Sequence, residues 1–212
     1  MHKILISLIV SLFCLGGLRA QTSFDNYTGT QIAWQMNQVP EDFELLPSKM
    51  IFTQRLLWGR KGLMRNFNRF GLTPEKRKNE LKVRRTMLKT HQIMGFVTIA
   101  SMLSQVIVGE RLYDGETGLK DTHEFLAGLT NITYITTASL SLFAPPKMID
   151  EPKGYSKLKV HRILAIVHIS GMIATNILAG LVEDNPGLRP YHAAAAITTF
   201  ASFTAAMIVI KL

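Results

Sequence analysis

The second half of the chain is divided into four apolar stretches, at roughly 91–110, 124–144, 160–182 and 191–210. Each is about 20 residues long, so as a helix it would run about 30 Å, the thickness of a bilayer's hydrocarbon core. Asp114-Gly115-Glu116 turns the first stretch, Pro145-Pro146 ends the second, and Asn185-Pro186-Gly187 turns the third. Connections this short make neighbours antiparallel. The chain is 47% hydrophobic, and most of its apolar residues follow residue 90. That asymmetry belongs to a membrane protein, not to a soluble globule. The fold expected is an all-α membrane protein, a four-helix transmembrane up-down bundle.

Each stretch opens with a histidine: His91, His123, His161 and His192. The stretches alternate in direction, so His91 and His161 lie near one membrane face and His123 and His192 near the other. The chain also repeats itself. Leu88-Lys89-Thr90-His91-Gln92-Ile93 resembles the later Leu158-Lys159-Val160-His161-Arg162-Ile163. The second histidine of each unit follows at nearly the same interval, His123 after His91 and His192 after His161. The bundle is therefore expected to be built from two helix-pair repeats, related by an axis along the membrane normal.

This layout points to two b-type haems, one near each membrane surface, each iron held by histidines from two helices. Neutral imidazole is a strong ligand for haem iron, and two of them leave an iron with no open position, suited to electron transfer. Each histidine has a small residue one turn later, at Gly95, Ala127, Ala165 and Ala196, where a macrocycle would lie against the backbone. Small residues also serve plain helix packing in membranes. A lone histidine at a helix start is commonly only an interfacial anchor. Four at matching depth inside a repeat carry the haem reading. The alternative is a non-haem membrane scaffold or a protein handling Zn or Cu through interfacial histidines. Metal transporters add carboxylates inside their spans, whereas Glu110, Glu124 and Glu183 sit at the ends.

His168 lies two turns after His161, on the same helix face within about 20° and about 10 Å deeper. It is either a ligand in place of His161 or a neighbour of the haem. Repeat symmetry favours His161, because the first unit has Thr98 at the corresponding position.

The separation of His91 from His161 nearly equals that of His123 from His192. With these histidines at these separations, residues 88–212 resemble the core of the cytochrome b561 family. The resemblance implies four central helices, with the first and third sharing one haem and the second and fourth the other. It implies two haem b groups and electron transfer across the bilayer, an oxidoreductase role. Lys120 and Arg189, each just before His123 and His192, match the family's basic residues that bind ascorbate or the haem propionates. Their plainer role would be interfacial snorkelling. The chain departs from the family in having four spans instead of six and a basic segment in front. Donor and acceptor are therefore open: a quinol or a small reductant on one face, and a protein or small molecule on the other. A homodimer is compatible with such a chain.

The first half divides into residues 1–20, which read as a signal peptide, and residues 21–88, a polar then basic extension before the bundle at 89–212. Lys3 supplies the charged start, Ile4 to Leu18 an apolar run too short to span comfortably, and Ala20 a cut before Gln21. Cys14 is the only cysteine. Its removal with the signal would exclude disulfides, thiolate metal sites and covalent haem attachment.

The net charge of +9 is concentrated between residues 60 and 89, where eleven Lys and Arg face only Glu75 and Glu80. Beside a membrane span such a run contacts anionic lipid at about 1 kcal/mol per residue, and no nucleic acid is expected. Thr73-Pro74-Glu75 reads as a helix start that runs on into the first span. Residues 51–71 suit either an interfacial segment or a soluble linker, and Gly59 and Gly62 interrupt them as a helix. The expected location is a multi-pass membrane protein, in a bacterial inner membrane, with a periplasmic extension. The basic run then opposes the positive-inside tendency. An uncleaved first segment would reconcile the charges. No Gly-rich nucleotide fingerprint, nucleophile elbow or hydrolytic triad is present.

Overall fold

The computed structural model describes residues 45–148 and 156–211. The expected signal peptide, Cys14 and the polar stretch 21–44 lie outside the described residues. Among the described residues five α-helices follow one another: α1 Phe52–Trp58, α2 Pro74–Tyr113, α3 Lys120–Leu142, α4 Lys157–Val182 and α5 Arg189–Lys211. Among the described residues there is no strand.

α2 begins where its sequence cues lie. Thr73 is the N-cap, its hydroxyl accepting from the Lys76 amide at 3.4 Å, with Pro74 in the first turn and Glu75 beside it. The helix continues for 40 residues, so the basic stretch and the first apolar stretch form one rod. It stops at Asp114-Gly115, where Gly115 takes a φ of 105°, a conformation that favours glycine. α4 starts on Ser156, whose hydroxyl accepts from the Lys159 amide at 3.2 Å. Both hairpins, α2–α3 and α4–α5, close through a short 3-10 turn, Thr117–Leu119 and Pro186–Leu188.

Among the described residues three helices are long and apolar enough to cross a membrane: Pro74–Tyr113, Lys157–Val182 and Pro186–Ile210. The sequence predicts four spans of about 20 residues, and α3 differs for a chemical reason. It carries Thr130, Asn131, Thr133, Thr136, Thr137, Ser139 and Ser141. Thr133, Thr136 and Thr137 turn their hydroxyls onto carbonyls one turn back, which hides the polar groups within the helix. The buried stripe faces α2. Thr137 meets Thr98 at 2.9 Å, and Thr130 meets Ser101 at 2.6 Å. The opposite stripe exposes Phe125, Ile132 and Ile135. Polar glue also joins α3 to α4, through reciprocal amide bonds of Asn131 and Asn176 at 2.8 and 3.1 Å. α4 meets α5 at Gly171, where any Cβ would collide with the Thr199 hydroxyl.

The segment before α2 serves the far end of α3. Pro145 and Pro146 cannot continue a helix, so the carbonyls around them need other donors. Those donors come from far earlier in the chain. Thr53 bonds Leu142 at 2.6 Å, Trp58 Nε1 bonds Phe143 at 2.9 Å, and Gln54 bonds Ala144 at 3.1 Å. Arg84 bonds the Pro145 carbonyl at 2.6 Å, and Arg77 bonds that of Pro146. Beneath them Glu80 lies between Arg65 and Arg77, and both Arg77 and Glu80 are fully buried. Arg65 also holds the Trp58, Gly59 and Phe70 carbonyls. The sequence groups Arg65, Arg77 and Arg84 with a lipid-facing basic run. They point inward instead, because carbonyls and a buried carboxylate recruit them.

Candidate functional site

The four histidines that open the apolar stretches meet in two pairs. The His91 and His161 ring centroids lie 6.4 Å apart at 86°, and those of His123 and His192 lie 6.3 Å apart at 73°. One pair joins α2 to α4 and the other joins α3 to α5, as the repeat register requires.

Each ring is secured by the hairpin it belongs to. His91 Nδ1 is 2.7 Å from the Thr137 carbonyl, and His161 Nδ1 is 2.9 Å from the Ala206 carbonyl. His192 Nδ1 is 3.1 Å from the Thr175 carbonyl. A carbonyl only accepts, so in all three rings Nδ1 carries the hydrogen and donates it. That fixes the tautomer and leaves the Nε2 lone pair available.

The partners share one spacing. Each acceptor lies about four helical turns after the histidine of its own helix. Thr137 stands so to His123, Ala206 to His192 and Thr175 to His161. The residue at the same offset from His91 is Gln105. It reaches His123 with its side chain, Nε2 lying 3.1 Å from the ring Nε2 and 3.3 Å from Nδ1. Gln105 Oε1 is buried and has no hydrogen-bond partner among the described residues. With the amide turned over, that oxygen would accept the ring N–H as the three carbonyls do. His123 also lies close to α2. A Cβ at Gly109 would stand 2.9 Å from His123 Cε1, so glycine is what lets the ring approach.

His168 is buried and has its own partners. Its Nδ1 is 2.7 Å from the Tyr134 hydroxyl, and its ring packs 4.9 Å from Phe203. Tyr134 in turn lies 5.7 Å from Phe203. The ring paired with His91 is that of His161.

Lys120 and Arg189 stand at the exposed starts of α3 and α5. Lys120 bonds Glu183 at 3.0 Å and lies 3.6 Å from Glu124. The Glu183 contact, with help from Glu124, raises the Lys120 pKa above the ordinary lysine value.

Gln105, Tyr134 and the three acceptor carbonyls are not singled out by the sequence. The signal that finds Gln105 and the carbonyls is the shared four-turn offset, visible only once the hairpin register is known. No family profile matches the chain, and comparisons with curated proteins and with solved structures find no match.

Proposed function

We propose that the chain carries electrons across a membrane through two b-type haems, one held by His91 and His161 and the other by His123 and His192. The observation that carries this reading is the pair geometry. Two imidazoles sharing one iron at about 2 Å each, with about 1.1 Å more from the bonded nitrogen to its ring centre, would have centroids about 6 Å apart. The observed separations are 6.4 and 6.3 Å. The donor chemistry agrees, because Nδ1 is committed to a carbonyl in three rings and Nε2 remains for the metal.

A haem so held supplies one-electron chemistry with no open position for oxygen. The chain's own residues do the rest. Thr137, Ala206 and Thr175 carbonyls orient three rings, and Gln105 orients the fourth. The helix-pair repeat sets the two pairs at opposite ends. In this reading α3 is the fourth span, its hydroxyl stripe covered by α2 and its Phe125–Ile132–Ile135 stripe toward lipid. The chain then resembles the four-helix core of cytochrome b561. A quinol or small reductant would be oxidised on one face, and a partner reduced on the other. Lys120 and Arg189 are candidates to attract an anion beside the His123 pair.

Zinc is served less well by this arrangement. Tetrahedral sites take three or four protein ligands, and among the described residues no group of three or more His, Cys, Asp or Glu converges. Two imidazoles at each site would hold a haem iron. Purified protein from haem-replete cells should contain two haem irons per chain and give a b-type α band on reduction. A colourless protein, or one holding zinc in place of iron, rejects the proposal.

A further inference from the structure

α1 is bound to the end of α3 along one side only. Thr53, Gln54 and Trp58 bond the Leu142, Ala144 and Phe143 carbonyls. At about 100° per residue, Phe52 and Leu56 form a stripe about 200° round the helix from Gln54 and Trp58. Accordingly Trp58 is 5% exposed, whereas Phe52 is 75% and Leu56 51% exposed. Arg55 is exposed beside that stripe, and α1 carries no acid. Arg65 ties the turns after α1 to it through the Trp58, Gly59 and Phe70 carbonyls. Those turns expose Leu63 at 53% and Phe67 at 58%. Large apolar side chains held outward by so many bonds mark a surface that meets something apolar.

The helix register gives the depth of this surface. Thr175, which holds His192, follows His161 by four turns, so the two histidine levels lie about 21 Å apart. Lys120 and Arg189 start α3 and α5 about 4.5 Å outside the His123 and His192 level, and cations there mark one edge of the hydrocarbon. A core of about 30 Å measured from that edge ends about 4–5 Å beyond the His91 level. Thr137 holds His91, and Leu142 to Ala144 stand about 7–10 Å past Thr137 along the chain's course. α1 therefore lies just outside the hydrocarbon, among the head groups. The outer stripe of α3 leads to the same place. Leu142 shares the stripe of Ile135 within about 20°, is 38% exposed, and gives its carbonyl to Thr53.

We propose that α1 is an interfacial helix that inserts Phe52 and Leu56 into the leaflet around the bundle, with Arg55 reaching back to the lipid phosphates. A helix at this level dips its apolar face about 5–10 Å into the boundary between head groups and acyl chains. An arginine beside such a stripe lays its stem on the apolar surface and keeps its charge in the polar layer. The lipid that covers the α3 stripe then continues under α1. This placement rests on the bundle spanning a bilayer and not on haem.

The test uses the full chain, with Cys14→Ser, in vesicles of phosphatidylglycerol and phosphatidylcholine. Nitroxide labels are attached singly through Phe52→Cys, Leu56→Cys, Ile135→Cys and Lys78→Cys, all at exposed positions, so none disturbs the packing. Collisions with oxygen, which concentrates in hydrocarbon, are compared with collisions with a water-soluble nickel chelate. Ile135 reports the lipid face of α3, and Lys78 stands about 20 Å outside the His91 level, in water. The Phe52 and Leu56 labels should side with Ile135, their ratio of oxygen to nickel collisions exceeding that at Lys78 several-fold. Labels as open to nickel as the one at Lys78 would put the stripe in water and overturn the insertion. Protection from both reagents would mean that protein covers the stripe, a second copy or another part of this chain, and would overturn the lipid. A nickel-accessible Ile135 label would overturn the span itself, whereas a protected Ile135 with an open Phe52 overturns the insertion alone.

Discussion

Glu80→Gln should release the segment that precedes α2 while leaving the helices intact. Glu80 is fully buried between Arg65 and Arg77, and Arg77 is itself fully buried. Removing one partner of a buried ion pair costs about 3–5 kcal/mol, because the remaining charge stays desolvated. Here the lower end applies. Arg77 keeps the Leu45, Pro146 and Lys147 carbonyls as acceptors, and Gln retains an oxygen toward one guanidinium. A loss of about 3 kcal/mol corresponds to roughly a hundredfold rise in the open population. Opening frees residues 45–73, because Arg65 holds the Trp58, Gly59 and Phe70 carbonyls from the same network. Trypsin can read this at Arg55, Arg60 and Lys61, which are on the surface but need a locally unfolded chain to enter a protease. When opening is fast compared with cleavage, the rate follows the open population. Cleavage in this segment should therefore accelerate by about two orders of magnitude in detergent. Lys78→Gln, an exposed cation on the same helix, should change stability by less than about 0.5 kcal/mol. If Glu80→Gln accelerates cleavage no more than Lys78→Gln does, the ion-pair network is not what holds the segment.

His91→Ala and His161→Ala should each remove about half of the haem, measured by pyridine haemochrome, because each pair is a separate site. His168→Phe should keep both haems, and loss of half the haem there would make His168 the ligand in place of His161. Gln105→Leu should disturb only the His123 site, lowering its metal affinity by about 10–100-fold, as loss of an orienting partner does. A spectrum in which the His91 site shifts equally would refute the shared-offset scheme.

The parts legible in sequence were those with a local or repeating signature. The α2 start was readable from Thr73-Pro74-Glu75, since a cap acts within the first turn. The hairpin turns were readable from Gly115 and Pro186-Gly187. The pairing of His91 with His161 was readable because a repeat copies its register. What escaped has no local period. The bonds from Thr53, Gln54 and Trp58 to residues 142–144 cross most of α2 and α3 in sequence. Nothing in residues 51–58 announces which carbonyls they will serve. Arg77 and Lys78 are neighbours of equal charge, yet one is wholly buried and the other exposed. Only the proximity of Glu80 and the Pro146 carbonyl separates them. α3 misled for a related reason. Its threonines lower its apolarity, although Thr133 and Thr137 already satisfy their hydroxyls within the helix.

The bonds across α3's end also order events during synthesis. Residues 45–71 leave the ribosome early, but their acceptors at 142–147 do not exist until two long helices later. Until then Thr53, Gln54 and Trp58 lack these acceptors and Arg77 has only part of its partners, and α2 must be placed without those bonds. This early segment is thus completed after the α2–α3 hairpin. A chain truncated before Leu142 would carry all of these donors and none of the carbonyls they bond at the end of α3.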